Sequence, residues 1–149
     1  MRALLFLSAL TLTAAEPWMP TVPGAVNPKV TQANIKTTVC RAGYTATIRP
    51  SEAYTNKLKV AQMAKLKLPG KPSDFEEDHE ISLEIGGAPK DPANLWPQPY
   101  DGGYGARRKD QVEDELHRRL CAGKMTLVEV QTCIRTDWVA CGRRLGVIQ

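Results

Sequence analysis

Residues 75–99, FEEDHEISLEIGGAPKDPANLWPQP, are the most informative stretch for the fold. Apolar and polar residues alternate in its first part, which predicts a strand with one buried face. The apolar positions of that alternation are Ile81, Leu83 and Ile85. His79 falls on the same face by the period of two. Gly86 and Gly87 predict a turn, because glycine adopts positive φ without strain. The run NLWP, 94–97, returns the chain, so the stretch predicts a β-hairpin.

Two helices are predicted after the hairpin. Apolar residues recur every four positions in residues 106–123, ARRKDQVEDELHRRLCAG, and Gly123 supplies a stop. Thr126 opens the next helix, with Glu129 three residues on as the partner of a capping box. The apolar positions of the two helices are Val112, Leu116, Leu120, Leu127, Val130, Ile134 and Trp138. The order predicted is therefore strand, strand, helix, helix.

The segment before the hairpin predicts one more strand and one more helix. Residues 44–50, YTATIRP, alternate with β-branched residues and end at a proline, which is typical of a short strand. Ser51 is a helix N-cap, and LPGKP, 68–72, ends that helix. Its predicted apolar stripe is Tyr54, Leu58, Ala61 and Leu66. These elements predict a small single α+β domain, in which a hairpin plus helix, about 74–121, is surrounded by additional helices.

The N-terminus predicts export. Residues 1–15, MRALLFLSALTLTAA, have one basic residue, an apolar core and small residues, the layout of a secretory signal peptide. Residues 16–30 are rich in proline and predict a loosely held, extended leader, which leaves 31–149 as the single domain. No other segment is apolar enough to cross a membrane. We expect a secreted protein, periplasmic or extracellular, without membrane contact once the signal is removed.

The charge is mildly basic. The chain has 20 Lys and Arg against 16 Asp and Glu, a formal net charge of +4. Arg2 is the only charged residue of the signal segment, so +3 remains without it. That balance permits a nucleic-acid partner but does not by itself indicate one.

Four cysteines, an even set in an exported chain, predict disulfide bonds. A structural zinc site is the alternative, and no Cys-x-x-Cys pair favours it. Four cysteines permit three pairings. A bond from Cys40 to Cys121 would join the N-terminal half to the C-terminal helices. A bond from Cys133 to Cys141 would need the chain to fold back after Trp138.

The hairpin region resembles the HNH, or ββα-metal, nuclease superfamily. The resemblance rests on DHEISLEIGG at 78–87, NLWPQP at 94–99 and a following helix with Lys-Asp at 109–110. More widely, NPKVTQANI, YTATIRPSEAYTNKLK and KDQVEDELHRRLCAG are similar to a family of small secreted bacterial proteins with an HNH-like centre. The resemblance implies a ββα-metal finger that hydrolyses nucleic-acid phosphodiester bonds.

The resemblance also implies roles for individual residues. His79 matches the general base that deprotonates water, and Asp78 matches a ligand of one divalent metal ion. Asn94 matches the residue that joins the two strands of the finger, with Gly86 and Gly87 in its turn. Mg²⁺ is the expected ion, with Mn²⁺ and Zn²⁺ as alternatives. Phosphate contacts are expected from Lys109, Arg107 and Arg108.

One position departs from the pattern of that superfamily. The second metal ligand is expected at the head of the helix, at 105–107, where this chain has Gly-Ala-Arg. Asp110 is the nearest carboxylate that would replace it, and Asp101 and Glu84 are further alternatives.

Two functions of different classes follow. The first is a secreted, metal-dependent endonuclease that contacts the backbone of DNA or RNA without reading its sequence. The second is a catalytically silent secreted domain that keeps the finger as a scaffold and binds a cell-envelope or protein partner. The intact Asp-His pair favours the first function, and the missing helix-head ligand favours the second.

Overall fold

The computed structural model describes residues 22–149, so the expected signal peptide and the leader through residue 21 lie outside the described residues. The α-helices and strands of the described part, which short 3₁₀ turns connect, are in chain order α1 (Tyr44–Ile48), α2 (Glu52–Leu66), β1 (Phe75–His79), β2 (Leu95–Pro99), α3 (Ala106–Cys121) and α4 (Leu127–Leu145). This order confirms the expectation of a small single α+β domain.

β1 and β2 form an antiparallel pair, and α3 follows them in the chain. The register sets Phe75 opposite Pro99 and His79 opposite Leu95. Side chains of β1 alternate between two sides, so that Phe75, Glu77 and His79 are buried while the residues between them are half-buried. The predicted hairpin is therefore present, with a long connection between its strands.

That connection corrects the prediction of a strand through residues 81–85. β1 ends at His79, and Leu83–Ile85 is a 3₁₀ turn. The backbone of Ile81 cannot continue the ladder, because the Asn94 side chain accepts from its N–H (2.9 Å) and donates to its carbonyl (3.0 Å). The alternation of the sequence is misleading here, since the polar positions Glu80 and Ser82 are buried as well.

Both glycines of the connection are required by geometry. Gly86 has φ +85°, the left-handed region that disfavours side chains. A Cβ on Gly87 would lie 1.7 Å from the Ile81 carbonyl oxygen, where no atom fits. The Gly87 amide donates instead to the Ser82 carbonyl at 2.9 Å. The close approach of the Gly87 backbone to that of Ile81 therefore requires glycine at both positions.

The prediction of a strand at 44–50 is wrong, because Tyr44–Ile48 is helix α1. The described part of the chain contains a single two-stranded sheet, which offers this segment no partner. A short helix forms its backbone hydrogen bonds locally, and Thr47 adds a side-chain bond to the Tyr44 carbonyl at 2.6 Å. Gly43 at its N-terminus has φ +77°.

Helix α2 begins after Ser51, whose side chain accepts from the Tyr54 amide, as predicted. Its buried side chains are Lys59 and Met63, so the predicted stripe is wrong. Lys59 Nζ donates to the Phe75 carbonyl at 2.8 Å, and Gln62 Nε2 donates to the Leu95 carbonyl at 2.9 Å. α2 therefore covers polar backbone of the hairpin, which explains why its contact face is not apolar.

The apolar core lies between α3, α4 and the connection of the hairpin. All apolar positions predicted for α3 and α4 are buried. The capping box of Thr126 and Glu129 is present, as predicted. Ile81 and Ile85 enter the same core from the connection. This packing fixes the head of α3 beside the end of β1.

Two disulfides are present, Cys40–Cys121 and Cys133–Cys141, and the described residues include no free cysteine. α4 leaves helical geometry at Asp137, with φ −168° and ψ 94°. Eight residues of straight helix would separate two Cα atoms by about 12 Å. The Cα atoms of the second disulfide are 5.5 Å apart. This kink closes the bond, so no reversal of the chain after Trp138 is needed.

The described part of the leader lies against the domain, which corrects the expectation that it is loosely held. The Gly24 amide donates to the Ala93 carbonyl at 3.0 Å, and the Asn27 amide donates to the Gly86 carbonyl at 2.8 Å. Val30 enters the core. In residues 22–149 we find no helix long and apolar enough to cross a membrane.

Candidate functional site

Asp78 and His79 end β1 and lie on opposite sides of it, because side chains alternate along a strand. His79 is only 6% exposed. Its Nε2 lies 3.0 Å from the carbonyl oxygen of Pro89 in the connection. A carbonyl only accepts hydrogen bonds, so Nε2 carries the proton in this contact. Nδ1 is therefore the ring nitrogen left to accept a proton when the ring is neutral.

Burial lowers the pKa of His79, and the contact with Pro89 and the charge of Asp78 oppose this shift without cancelling it. The imidazole is therefore neutral at pH 7. A neutral imidazole with one nitrogen already engaged is the form required of a general base.

His79 lines a cavity of about 330 Å³ between β1 and the segment around the start of α2. The cavity has cationic walls at Arg49 and Lys59 and acidic ones at Glu76 and Glu77. Arg49 is exposed and belongs to none of the ion pairs formed within residues 22–149. Lys59 belongs to none of them either, but it is buried and donates to the Phe75 carbonyl, so the exposed Arg49 guanidinium is the cationic group of this cavity open to a ligand.

Glu77 lies two residues before His79 on the same side of β1. Neither of its carboxyl oxygens has a hydrogen-bond partner within the described residues. Burial raises the pKa of Glu77 to about 8, although the nearby Lys59 opposes the shift. The carboxyl group is therefore largely protonated at neutral pH.

On the other side of β1, Asp78 belongs to a buried ion cluster. Lys109 Nζ donates to Asp78 Oδ2 at 2.8 Å and to the His79 carbonyl at 2.6 Å. It also donates to the Glu113 carboxylate. The Lys109 side chain is 0% exposed and that of Asp78 is 13% exposed. The three protons of the ammonium therefore have three acceptors, and none of them is directed to solvent.

The charge states of this cluster follow from its surroundings. Burial alone would lower the pKa of Lys109, but Asp78, Glu113 and Glu80 outweigh it and raise that pKa overall. Burial raises the pKa of Glu113 against the effect of Lys109. Burial likewise raises the pKa of Glu80 to about 8. Lys109 therefore keeps its positive charge at neutral pH.

Asn94 joins the connection to the start of β2. Besides its two bonds to Ile81, its Nδ2 donates to the Ala88 carbonyl at 3.0 Å, and the residue is fully buried. Its own carbonyl accepts from the Glu80 amide at 2.9 Å. These bonds hold the loop that carries Pro89, and through Pro89 they hold the His79 ring.

The three basic residues at the head of α3 do not share one environment. Arg107 is exposed, pairs with Asp101 at 2.6 Å and stacks over the Tyr100 ring. Arg108 donates to the Gly103 carbonyl at 3.1 Å. Both arginines line a cavity of about 480 Å³ whose wall includes Tyr100, and Tyr100 also lines the His79 cavity. Lys109 faces inward and has no access to a phosphate.

Two of the three candidate second metal ligands share one cavity, and the third, Asp101, lines another. Asp110 and Glu84 line a different cavity, of about 320 Å³, in which the Ser82 hydroxyl has no hydrogen-bond partner within the described residues. Burial, and then the charge of Asp78, raise the pKa of Asp110. Asp101 is engaged by Arg107, and Glu84 lies 3.7 Å from His117 Nδ1.

Among residues 22–149, the one group of three potential ligands close enough to share an ion is Cys40, His117 and Cys121. Its two sulfurs are bonded to each other, so they are not thiolates. One oxygen of Asp78 is taken by the Lys109 ammonium, which also takes an oxygen of the neighbouring Glu113 carboxyl group. As arranged here, the residues around Asp78 do not fit a divalent ion.

The sequence interpretation did not include Arg49, Lys59 or Glu77 in the site. Arg49 falls at the end of the segment predicted as a strand, and Lys59 is not part of the apolar stripe predicted for α2. Glu77 did carry a usable signal, because it shares the side of β1 that His79 occupies. The cavity joins parts of the chain distant in sequence, which no local pattern shows.

Comparisons with known protein families, with characterised proteins and with solved structures found no match to this chain.

Proposed function

We propose that this protein hydrolyses phosphodiester bonds of nucleic acid in the His79 cavity. The observation that carries the proposal is the hydrogen bond of His79 Nε2 to the Pro89 carbonyl, at 3.0 Å, in a ring that lines a cavity of about 330 Å³. That bond orients the ring and leaves Nδ1 as a base. The order β1, β2, α3 supports the resemblance to a ββα finger.

The chemistry assigned to His79 is proton removal from water. Nδ1 takes the proton while the water oxygen forms a bond to phosphorus, and the ester P–O bond on the opposite side breaks. The leaving oxygen takes a proton from solvent. Arg49 supplies a cationic fork for the phosphate oxygens, the geometry that guanidinium groups match well.

Backbone contacts account for the expected substrate class. Arg107 and Arg108 lie in the cavity that shares Tyr100 with the His79 cavity, so a strand of DNA or RNA has a cationic path beyond the cleavage point. Two disulfides support the interpretation that the protein acts outside the cytoplasm, after removal of residues 1–15.

The experiment compares the oxidised protein with two histidine variants on plasmid DNA and on single-stranded RNA. We expect cleavage by the wild type and a loss of about 100-fold or more in His79→Ala, the range that general-base removal produces. His117→Ala is the matched control. His117 makes an equivalent contact to the Val39 carbonyl at 2.9 Å but does not line the His79 cavity.

A circular dichroism spectrum establishes that each variant is folded. Equal loss in both histidine variants would point to a structural effect, and absence of cleavage by the folded wild type would reject the hydrolase.

The second candidate is a silent secreted domain that binds a cell-envelope or protein partner. The specific observation that favours it is the engagement of Asp78 by Lys109, which removes the acid expected to hold a catalytic metal. A folded wild type that cleaves neither DNA nor RNA, with or without Mg²⁺, Mn²⁺ and Zn²⁺, would make this candidate the better one.

A further inference from the structure

Lys109 lies where β1 and α3 meet, and the groups around its ammonium are ones that suit a cation. Asp78 at the end of β1 and Glu113 on α3 provide carboxylate oxygens, and His79 provides a backbone carbonyl. An all-oxygen set of this kind is what hard cations prefer. In this protein the set is filled by the ammonium group of the chain itself, and the side chain that carries it is fully buried.

The same position is the one that a metal ion would need in order to use Asp78. An ion there would have to displace the ammonium from a 2.8 Å contact and leave a buried positive charge without its partner. Repulsion between the ion and the ammonium adds to that penalty. The cluster thus disfavours a divalent ion at Asp78.

We propose that the Lys109 ammonium is a built-in cation that takes the place of a metal ion beside Asp78, so that chemistry at His79 requires no divalent metal. The first part concerns ion binding alone, and the second part rests on the proposed hydrolase. Lys109 orders the end of β1 through the His79 carbonyl and thereby positions the His79 ring; it does not contact the phosphate.

Mn²⁺ binding tests the first part independently of any cleavage activity. It is measured as the loss of the electron paramagnetic resonance signal of free Mn²⁺. The wild type is expected to show no Mn²⁺ binding that depends on Asp78. Binding that Asp78→Asn leaves unchanged lies elsewhere and agrees with the proposal. Wild-type binding that Asp78→Asn weakens tenfold or more would overturn it.

Removal of the ammonium gives a second comparison. Lys109→Met is expected to gain a Mn²⁺ site at least tenfold tighter than any in the wild type, and Lys109→Met/Asp78→Asn is expected to lose it. If Lys109→Met does not fold, the comparison of wild type with Asp78→Asn decides the question alone.

The second part uses the cleavage assay that compares wild type with His79→Ala. Cleavage that depends on His79 is expected to stay within twofold in excess EDTA. Loss of that cleavage in EDTA and its return with Mg²⁺ would overturn the metal-independent chemistry. If the wild type cleaves nothing, the proposed hydrolase fails, while the Mn²⁺ measurement still decides what Lys109 replaces.

Discussion

Two ion pairs at the head of α3 lie two residues apart and differ in almost every physical respect. Arg107 and Asp101 are 68% and 79% exposed, and their contact is 2.6 Å. Lys109 and Asp78 are 0% and 13% exposed, and their contact is 2.8 Å. Distance alone does not separate the two pairs. What separates them is the solvent, which screens the first pair and is excluded from the second.

Burial distinguishes charges that hold the structure together from charges that are available to a ligand. A buried ion pair contributes little net stability, but each partner becomes indispensable once the other is buried. An exposed pair exchanges its partner for water or phosphate at small free-energy change. Lys109 therefore belongs to the architecture of the site, whereas the Arg107 charge is exposed and free to exchange its partner.

The largest effect is expected from Lys109→Met. It leaves Asp78 and Glu113 buried without their cation, and breaking such a cluster costs about 4 kcal/mol of unfolding free energy. Urea unfolding at pH 7 measures it. Lys57→Met, on the exposed side of α2, is the control and should change stability by less than about 0.5 kcal/mol. Equal small effects would show that the cluster is not a structural unit.

Asn94→Ala tests whether the buried side of the site also depends on uncharged hydrogen bonds. The substitution leaves the Ile81 N–H and the carbonyls of Ile81 and Ala88 unpaired in a buried place. We expect a loss of about 3 kcal/mol, since each orphaned buried group costs about 1–3 kcal/mol. The exposed Asn56→Ala is the control for urea unfolding. A loss no larger than that of the control would mean that water replaces the Asn94 bonds.

The different environments of Arg107 and Lys109 had a partial signal in the sequence. Successive residues of a helix are rotated by about 100°, so these two residues point to nearly opposite sides. The predicted stripe of Val112, Leu116 and Leu120 extends back by helical spacing to Lys109, which places the lysine on the buried face. The resemblance to a nuclease gave all three basic residues one role and hid this difference.

Local signals predicted the hairpin, the two C-terminal helices and the capping box correctly, because propensity and core packing agree there. They failed at 44–48, where a strand has no partner, and at 81–85, where the Asn94 side chain occupies the backbone of Ile81. They also missed the His79 cavity, since Arg49 reaches it from a segment 30 residues away in sequence.

The neighbouring carboxyl groups of Glu77 and Asp78 face opposite sides of β1 and also differ in their partners. Asp78 has a counter-ion, whereas Glu77 has no hydrogen-bond partner within the described residues. Burial raises the pKa of Glu77 from 4.5 to about 8 in the folded protein. Between these pH values the folded protein keeps a proton that the unfolded chain has released, so stability falls as pH rises.

Glu77→Gln removes this pH dependence. Relative to the wild type, the variant should gain about 3–4 kcal/mol of unfolding free energy when the pH is raised from 5 to 8. Urea unfolding of both proteins at the two pH values measures the difference. Glu52→Gln alters an exposed carboxyl of the same cavity and should show no such gain. A gain of the opposite sign would mean that Lys59 holds Glu77 ionised.

The smallest effect on stability is expected from Arg107→Ala. Because its pair with Asp101 is largely exposed, the unfolding free energy should change by less than about 0.5 kcal/mol. Binding of single-stranded DNA should weaken, and the slope of log K against log salt should fall by about 0.7, the value for one lost phosphate contact. Arg143→Ala removes an equal charge from the end of α4, outside both cavities, and should leave that slope unchanged. If the two variants behave alike in the salt series, Arg107 makes no specific phosphate contact. If Arg107→Ala destabilises the fold as Lys109→Met does, exposure is not what separates the two ion pairs.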